Sequence, residues 1–177
     1  MHLRLIPHPA STAPALTVVT AVARGRGTLD FRWRVTGAVR LKLPAPGAAA
    51  RTDGLWRTTC FEAFLRPDAG AAYFEFNVSP SSQWAAYRFP DYRRGMTNAE
   101  IAAPAISVAR TGRTLEVSAS FDLGAFLISP SARLGLAAVI ETMDGAKSYW
   151  ALAHTGDKPD FHRADAFIAR LPFESRV

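Results

Sequence analysis

Two neighbouring stretches of the chain, CFEAFL at 60–65 and YFEFNV at 73–78, combine apolar residues with hydrogen-bonding side chains. Successive side chains of a β-strand point to opposite faces, so Glu75 and Asn77 share one face of the second stretch, opposite an apolar row that faces a core. On the first stretch Glu62 lies among apolar neighbours, where a carboxylate is costly to bury unless it is hydrogen-bonded. Two interpretations stay open: Glu62 is bonded to loop amides as a structural group, or it accepts hydrogen bonds from the hydroxyl groups of a ligand.

Three of the four tryptophans lie in or beside candidate loops, where an indole can present its flat face to a ligand. Trp56 follows Gly54-Leu55 in a long polar loop, Trp84 follows SPSSQ, and Trp150 precedes HTGDKPDFH. A sugar ring, apolar on one face and rimmed by hydroxyl groups, can stack on such a surface. Packing of a loop is the alternative role for each of them, whereas Trp33 belongs to an apolar strand row that predicts a core position.

Further polar side chains near these positions complete the set that we expect to contact a ligand: Asn77, Arg88, His154, Lys158 and Asp160. The run from His154 to His162 has a spacing that matches no common zinc pattern, and no cysteine is available as a partner. We therefore predict no metal site there, and a hydrogen-bonded loop that packs Phe161 inward. The two N-terminal histidines, His2 and His8, are expected to be exposed.

Sequence motifs of catalysis are missing from the chain. It contains no GxGxxG before a helix, no GxxxxGK[ST], no HExxH, no GxSxG and no CxxC. The single cysteine, Cys60, opens an apolar strand and is expected to be a buried thiol. The sequence suggests no reaction class, and we predict a protein that is not an enzyme.

The composition is that of an ordinary globular domain. The 177 residues, 49% hydrophobic and 20% charged, are enough for one domain, 1–177, in which residues 1–14 are expected to form an extended N-terminal arm. No apolar run approaches the roughly 20 residues that span a bilayer, and prolines interrupt the N-terminus where a signal peptide would be apolar. These features predict a cytoplasmic protein without a membrane partner.

The net charge of +6 invites a nucleic-acid interpretation. However, the basic residues of the N-terminal third, such as Arg32 and Arg34, alternate along candidate strands and would form an outward, solvated face. No recognisable nucleic-acid-binding motif accompanies them. We therefore predict no nucleic-acid partner.

Period-2 alternation dominates the chain and predicts strands. The candidates are Leu16–Ala23, Leu29–Val35, Val39–Leu43, Thr59–Arg66, Ala72–Val78, Gln83–Phe89, Ala105–Ala109, Thr114–Phe121, Arg133–Thr142, Ser148–His154 and Phe167–Leu171. Tight turns are predicted at Gly112 and at Asp144-Gly145, and at most one short helix at Leu123–Leu127. This pattern favours an all-β fold, an antiparallel β-sandwich of jelly-roll type, over an up-and-down barrel.

The run LWRTTCFEAFLRPDAGAAYFEFNVSPSSQWAAYRF (55–89) resembles the central part of DOMON-like domains, more specifically those related to family 9 carbohydrate-binding modules. The later SYWALAH and KPDFH segments resemble a signature of small bacterial DOMON-like proteins of unassigned role. The resemblance implies a β-sandwich that binds a small polyhydroxylated ligand, most simply a sugar, without catalysis. It also implies tryptophan stacking by two of Trp56, Trp84 and Trp150, and a carboxylate contact from Glu62.

Two alternatives follow from the same resemblance. Other DOMON domains bind b-type haem through a methionine and a histidine, and Met96, Met143, His154 and His162 keep a haem or redox module open. No cofactor is otherwise predicted. The second alternative is a domain that binds a protein partner through a sheet edge or an aromatic patch.

Overall fold

Antiparallel strands make up nearly all of the regular structure in the computed structural model, which describes residues 1–37, 40–124 and 132–171. The strands are β1 (His2–Pro7), β2 (Leu16–Arg24), β3 (Thr28–Gly37), β4 (Cys60–Pro67), β5 (Tyr73–Val78), β6 (Trp84–Phe89), β7 (Thr97–Asn98), β8 (Ala105–Thr111), β9 (Thr114–Asp122), β10 (Ala132–Glu141), β11 (Lys147–Ala151) and β12 (Ala169–Arg170). Short 3₁₀ turns lie at Leu55–Arg57 and Ala164–Ala166, and the described ranges contain no α-helix. The predicted all-β sandwich is confirmed.

The strands form one curled sheet that folds over itself into two layers. Its order is β7-β6-β5-β4-β10-β11-β1-β2-β3-β9-β8, and β12 pairs with β10. We call β8-β9-β3-β2 sheet I and β7-β6-β5-β4-β10-β11, with β12, sheet II. The two are joined by β1, whose residues 2–5 pair with β2 while Ile6 and Pro7 pair with β11. Residues 2–7 therefore belong to the sheet, whereas the sequence suggested an extended arm over residues 1–14.

The main core lies between the two sheets and follows directly from the alternation. Leu29, Phe31, Trp33 and Val35 of β3 are buried, while the residues between them are exposed or half-buried. Across the sandwich, the ring of Trp33 lies 5.6 Å from that of Phe61 on β4. Each fully buried side chain of this size contributes about 1.5–3 kcal/mol to stability, which holds the layers together.

A second buried cluster covers the outer face of sheet II. It includes Cys60 and Phe64 of β4, Tyr73 of β5, and Tyr87 and Phe89 of β6. Sheet II is thus buried on both faces, since the loop before β4 and the segment after β11 pack over its outer side. Cys60 is fully buried, as predicted, and burial raises the pKa of its thiol.

Three local predictions have different outcomes. The turns at Gly112 and Gly145 are confirmed, with φ of 55° and 84°. The predicted strand Val39–Leu43 is wrong over its described part, where Leu41 forms only an isolated bridge with Thr142, because Pro44 and Pro46 follow and oppose a continued ladder. The helix predicted at Leu123–Leu127 lies largely outside the described residues.

The N-terminal histidines differ from each other. His2 is exposed, but His8 is 2% exposed, so the prediction of an exposed His8 is wrong. The turn after β1 folds back, so the backbone N–H of Ala10 donates to His8 Nδ1 (3.0 Å) and Nε2 lies 3.0 Å from the Gly156 carbonyl oxygen.

No helix in the described ranges has the length and apolarity required to cross a membrane.

Candidate functional site

A cavity of about 520 Å³ opens on the outer face of sheet II. The sheet contributes Glu62, Glu75, Phe89, Val139 and Tyr149 to its lining. Loops contribute Trp56, Arg93, Met96, Pro159, Phe161 and His162. Its size lies within the range of about 300–1,000 Å³ that is usual for small-molecule sites.

The floor of the cavity is polar because two adjacent strands place hydrogen-bonding residues side by side. Glu62 of β4 lies directly opposite Asn77 of β5, and the two are 3% and 0% exposed. Asn77 Nδ2 donates to Glu75 Oε1 at 2.8 Å. Glu62 Oε1 and Asn77 Oδ1 are buried and have no hydrogen-bond partner among the described residues. The polar row of β5 is therefore enclosed, and it is not wetted sheet surface.

The pKa values of the Glu62 and Glu75 carboxyl groups are both raised. Burial, and then the nearby Glu75 carboxylate, raise the pKa of Glu62 well above its usual range, against an opposing effect of Arg93. Burial raises the pKa of Glu75 to about 7, opposed by the Asn77 hydrogen bond and by Arg93. Near neutral pH the floor thus carries less negative charge than two free carboxylates would.

His162 is half-buried at one wall of the cavity and is neutral. Its ring lies edge-on to those of Phe64 and Phe89, each 5.2 Å away between centroids. Burial lowers the pKa of His162 to about 4, and the charge of Arg93 acts in the same direction.

Tyr73 and Arg93 hold His162 in place. Tyr73 Oη accepts from the backbone N–H of Arg93 (3.2 Å) and forms a hydrogen bond with His162 Nδ1 at 2.8 Å. Burial raises the pKa of Tyr73, so the phenol keeps its proton. The other ring nitrogen of His162, Nε2, lies 3.7 Å from Glu75 Oε2.

Two loops are tied together at the mouth of the cavity. Arg93 Nη2 donates to Asp160 Oδ1 at 2.8 Å, Tyr92 Oη donates to the other oxygen of Asp160, and the backbone N–H of His162 donates to Oδ1 at 3.1 Å. Burial acts to raise the pKa of Asp160, but the hydrogen bonds from Tyr92 and Arg93 outweigh it and lower the pKa. Asp160 thus stays charged and holds the guanidinium of Arg93 at the rim.

Trp56 stands at the rim on a short 3₁₀ turn. Gly54 begins the turn with a φ of 74°, which favours glycine. Leu55 is buried and anchors the turn, while Trp56 is 39% exposed. Its ring and that of Tyr87 are inclined at 73° to each other, with a centroid distance of 6.4 Å. Part of the indole is therefore exposed at the rim of the cavity.

Four of the predicted site residues come together here. Trp56 and Glu62 line the cavity. Asn77 donates a hydrogen bond to Glu75 at the floor, and Asp160 accepts one from Arg93 at the rim.

The other predicted residues lie elsewhere. Trp84 and Trp150 are each 4% exposed in the main core. Arg51 stacks on Trp84 at 4.3 Å, and Trp150 Nε1 donates to Ser148 Oγ at 2.9 Å. Their indole faces are thus buried in the protein interior.

The three remaining predicted groups also lie outside the cavity lining. Arg88 and Lys158 are exposed. His154 Nε2 lies 2.9 Å from the Ile6 carbonyl oxygen, and its ring packs edge-on against His8. His154 therefore fastens the segment after β11 to β1.

Several cavity residues were not predicted. Glu75 could have been included, because strand alternation puts it on the same face as Asn77. Arg93, Met96 and Tyr149 carried no such signal, because long-range packing of loops and of β10 against β11 brings them to the cavity.

The residues present do not fit a haem. Met143 is 57% exposed and His154 is bonded to Ile6, far from an apolar crevice. Met96 and His162 do line the same cavity, but His162 Nδ1 is bonded to Tyr73 and Nε2 faces Glu75. Within the described ranges no cluster of three or more His, Cys, Asp or Glu side chains could hold a metal ion.

Another depression of about 450 Å³ lies on the exposed face of sheet I. Its charged lining residues, Arg34 and Glu116, are already joined by an ion pair of 2.7 Å. A shallow surface of paired charges has none of the unsatisfied buried groups of the sheet II cavity, which we therefore take as the candidate site.

No protein-family model and no curated protein matches this sequence. A proposed carbohydrate-binding protein from Bacteroides uniformis ATCC 8492 has a similar structure, with a TM-score of 0.68 at 12% identity over 94% of this chain and 83% of that chain. A family 9 carbohydrate-binding module from Caldicellulosiruptor kristjanssonii in complex with glucose gives a TM-score of 0.56 at 10% identity, over 99% and 86% of the two chains. The same kind of module in complex with cellotriose gives 0.59 at 10% identity, over 99% and 84%. These likenesses establish a fold that carbohydrate-binding proteins also have, while the DOMON-like resemblance stays a prediction.

Proposed function

We propose that this protein binds a carbohydrate without catalysing a reaction, and that the sheet II cavity is the binding site. The observation that carries the proposal is the combination, in one cavity, of a half-exposed tryptophan at the rim and unsatisfied buried acceptors at the floor. The fold supports it, since the similar structures include carbohydrate-binding modules in complex with glucose and with cellotriose.

The geometry supplies both kinds of contact that a sugar ring needs. Trp56 offers a flat apolar face at the rim, on which the apolar side of a ring can stack. Glu62 and Glu75 at the floor accept hydrogen bonds from hydroxyl groups, and the guanidinium of Arg93 can donate to ring or hydroxyl oxygens. A sugar hydroxyl at Glu62 Oε1 would remove the cost of an unpaired buried acceptor, about 1–3 kcal/mol.

A thermal-shift titration with glucose and cellotriose tests this function. A ligand at about 100 times its Kd adds about 2.7 kcal/mol to the stability of the folded state, so a binding sugar raises the Tm visibly. Trp56→Ala is expected to weaken the affinity at least about tenfold, since it removes the stacking face. Met143→Ala, which truncates an exposed side chain away from the cavity, is the matched control and is expected to bind as the wild type does.

The absence of a Tm shift with every sugar tested would overturn the proposal and favour a domain that binds a protein partner. A shift that Trp56→Ala leaves unchanged in the folded variant would move the sugar site away from the cavity.

A further inference from the structure

Acceptor oxygens without partners lie at the floor of the cavity and directly beside it. Glu62 Oε1 and Asn77 Oδ1 are buried without partners among the described residues, and one of the two N–H donors of the Asn77 amide is used by Glu75 Oε1. Glu75 Oε2 faces His162 Nε2 at 3.7 Å, which is longer than a hydrogen bond. A ligand that brings several donors to this small region would satisfy these acceptors.

The positive charge present at the cavity does not balance this floor. Arg93 is the cation among the described lining residues at neutral pH, because His162 is neutral. The guanidinium is held at the rim by Asp160, 2.8 Å away, and that carboxylate offsets its charge. Arg93 therefore compensates the charge of the Glu62 and Glu75 carboxylates only in part, and burial still raises their pKa values.

A protonated primary amine meets both requirements. It presents three N–H donors from one atom, whereas a hydroxyl group presents one. It also supplies the positive charge that lets two neighbouring buried carboxyl groups ionise. The aromatic side chains of Trp56, Tyr149 and Phe161 in the same lining suit an ammonium group, which is attracted to aromatic faces.

We infer that the cavity prefers a ligand with a primary ammonium group, seated at Glu62 and Glu75, so that its preferred carbohydrate is an amino sugar. This inference rests on the proposed carbohydrate function, and it adds the chemical class of the sugar.

Binding of an amine has a signature that binding of a neutral sugar lacks. Burial favours the protonated form of Glu62, and a nearby ammonium favours the ionised form. An amino sugar therefore releases a proton to the buffer when it binds. A neutral sugar leaves Glu62 protonated and releases none.

Isothermal titration calorimetry near pH 6.5, where an amine is protonated, compares glucosamine, glucose and cyclohexylamine. Glucosamine is expected to bind about tenfold more tightly than glucose, since charge-assisted hydrogen bonds replace neutral ones. Its apparent enthalpy should vary with the ionisation enthalpy of the buffer, and that of glucose should not. Glu62→Gln is expected to bring the preference for glucosamine over glucose to about twofold or less, while the exposed Glu100→Gln keeps the tenfold preference.

The outcomes separate the inference from the function on which it rests. Glucose affinity equal to or above that of glucosamine overturns the inference and leaves carbohydrate binding in place. Binding of cyclohexylamine without any sugar overturns the carbohydrate function and supports the ammonium site. Failure of all three ligands overturns both. If Glu62→Gln does not fold, Glu75→Gln serves as the second variant, with the same loss of preference expected.

Discussion

Glu75→Gln is expected to stabilise the folded protein relative to the wild type. This gain in stability should be near zero at low pH and increase as the pH rises. The pKa of Glu75 is about 7 in the folded protein against 4.5 for an unperturbed glutamate. The folded state therefore binds more protons than the unfolded state between these values, and wild-type stability falls as the pH rises through this window. The difference of about 2.5 in pKa, at about 1.4 kcal/mol for each, gives about 3 kcal/mol lost above pH 7.

The glutamine side chain removes the ionisation but keeps an oxygen that can accept the hydrogen bond from Asn77. The stability of Glu75→Gln minus that of the wild type should be near zero around pH 4.5 and rise to about 3 kcal/mol by about pH 8. His162 acts with the opposite slope, because its lowered pKa of about 4 makes its protonation destabilising as the pH falls below 6.5. It is present in both proteins, so its contribution cancels in the difference.

Urea denaturation followed by tryptophan fluorescence, at several pH values between 4.5 and 8, measures this difference. The exposed Glu100→Gln is the matched control, since it removes a carboxylate that is not buried. A Glu75→Gln difference that does not change with pH would refute the reasoning, because Glu75 would then ionise in the folded protein as it does in the unfolded chain.

Two further variants test the packing that holds the site. Gly135→Ala would place a Cβ 2.8 Å from Phe167 Cε1, under the segment that covers sheet II. It should lower the free energy of unfolding by about 1–3 kcal/mol. Gly47→Ala is the control, because a Cβ there has room, and it should change the free energy of unfolding little. Arg51→Lys should cost about 1–2 kcal/mol in the same denaturation assay, because a lysine cannot keep both hydrogen bonds to backbone carbonyls (3.0 and 2.9 Å) and the stacking on Trp84. An unchanged midpoint for either variant would contradict the packing described.

The strands of the sandwich could be predicted because alternation is a local property. On β3, every second residue from Leu29 to Val35 is buried, as the sequence indicated. The same rule predicted the shared face of Glu75 and Asn77, which are both buried. The strand predictions missed β1, which ends at Pro7 and joins the two sheets through pairing at both ends.

The tryptophan predictions show where local reasoning stops. Trp84 and Trp150 stand at strand ends beside polar loops, yet each belongs to the row of its strand that faces the main core. Trp56, on a turn anchored by Leu55, keeps an exposed face.

The positions of Arg93 and His162 at the cavity could not be predicted from the sequence. Arg93 reaches the cavity through its ion pair with Asp160, and His162 through its hydrogen bond with Tyr73. Those pairs are 67 and 89 residues apart in the chain. Their meeting depends on how the two loops cross sheet II, which no local pattern encodes.

The most direct test of the central claim is a titration of the ¹⁵N-labelled protein with cellotriose and with glucosamine, followed by NMR. Carbohydrate binding in the sheet II cavity predicts that the largest shift changes occur at the indole N–H of Trp56 and at the amides of Glu62, Glu75 and His162. The amide signals of sheet I are expected to keep their chemical shifts. Changes confined to sheet I, or a spectrum that neither sugar alters, would contradict the account.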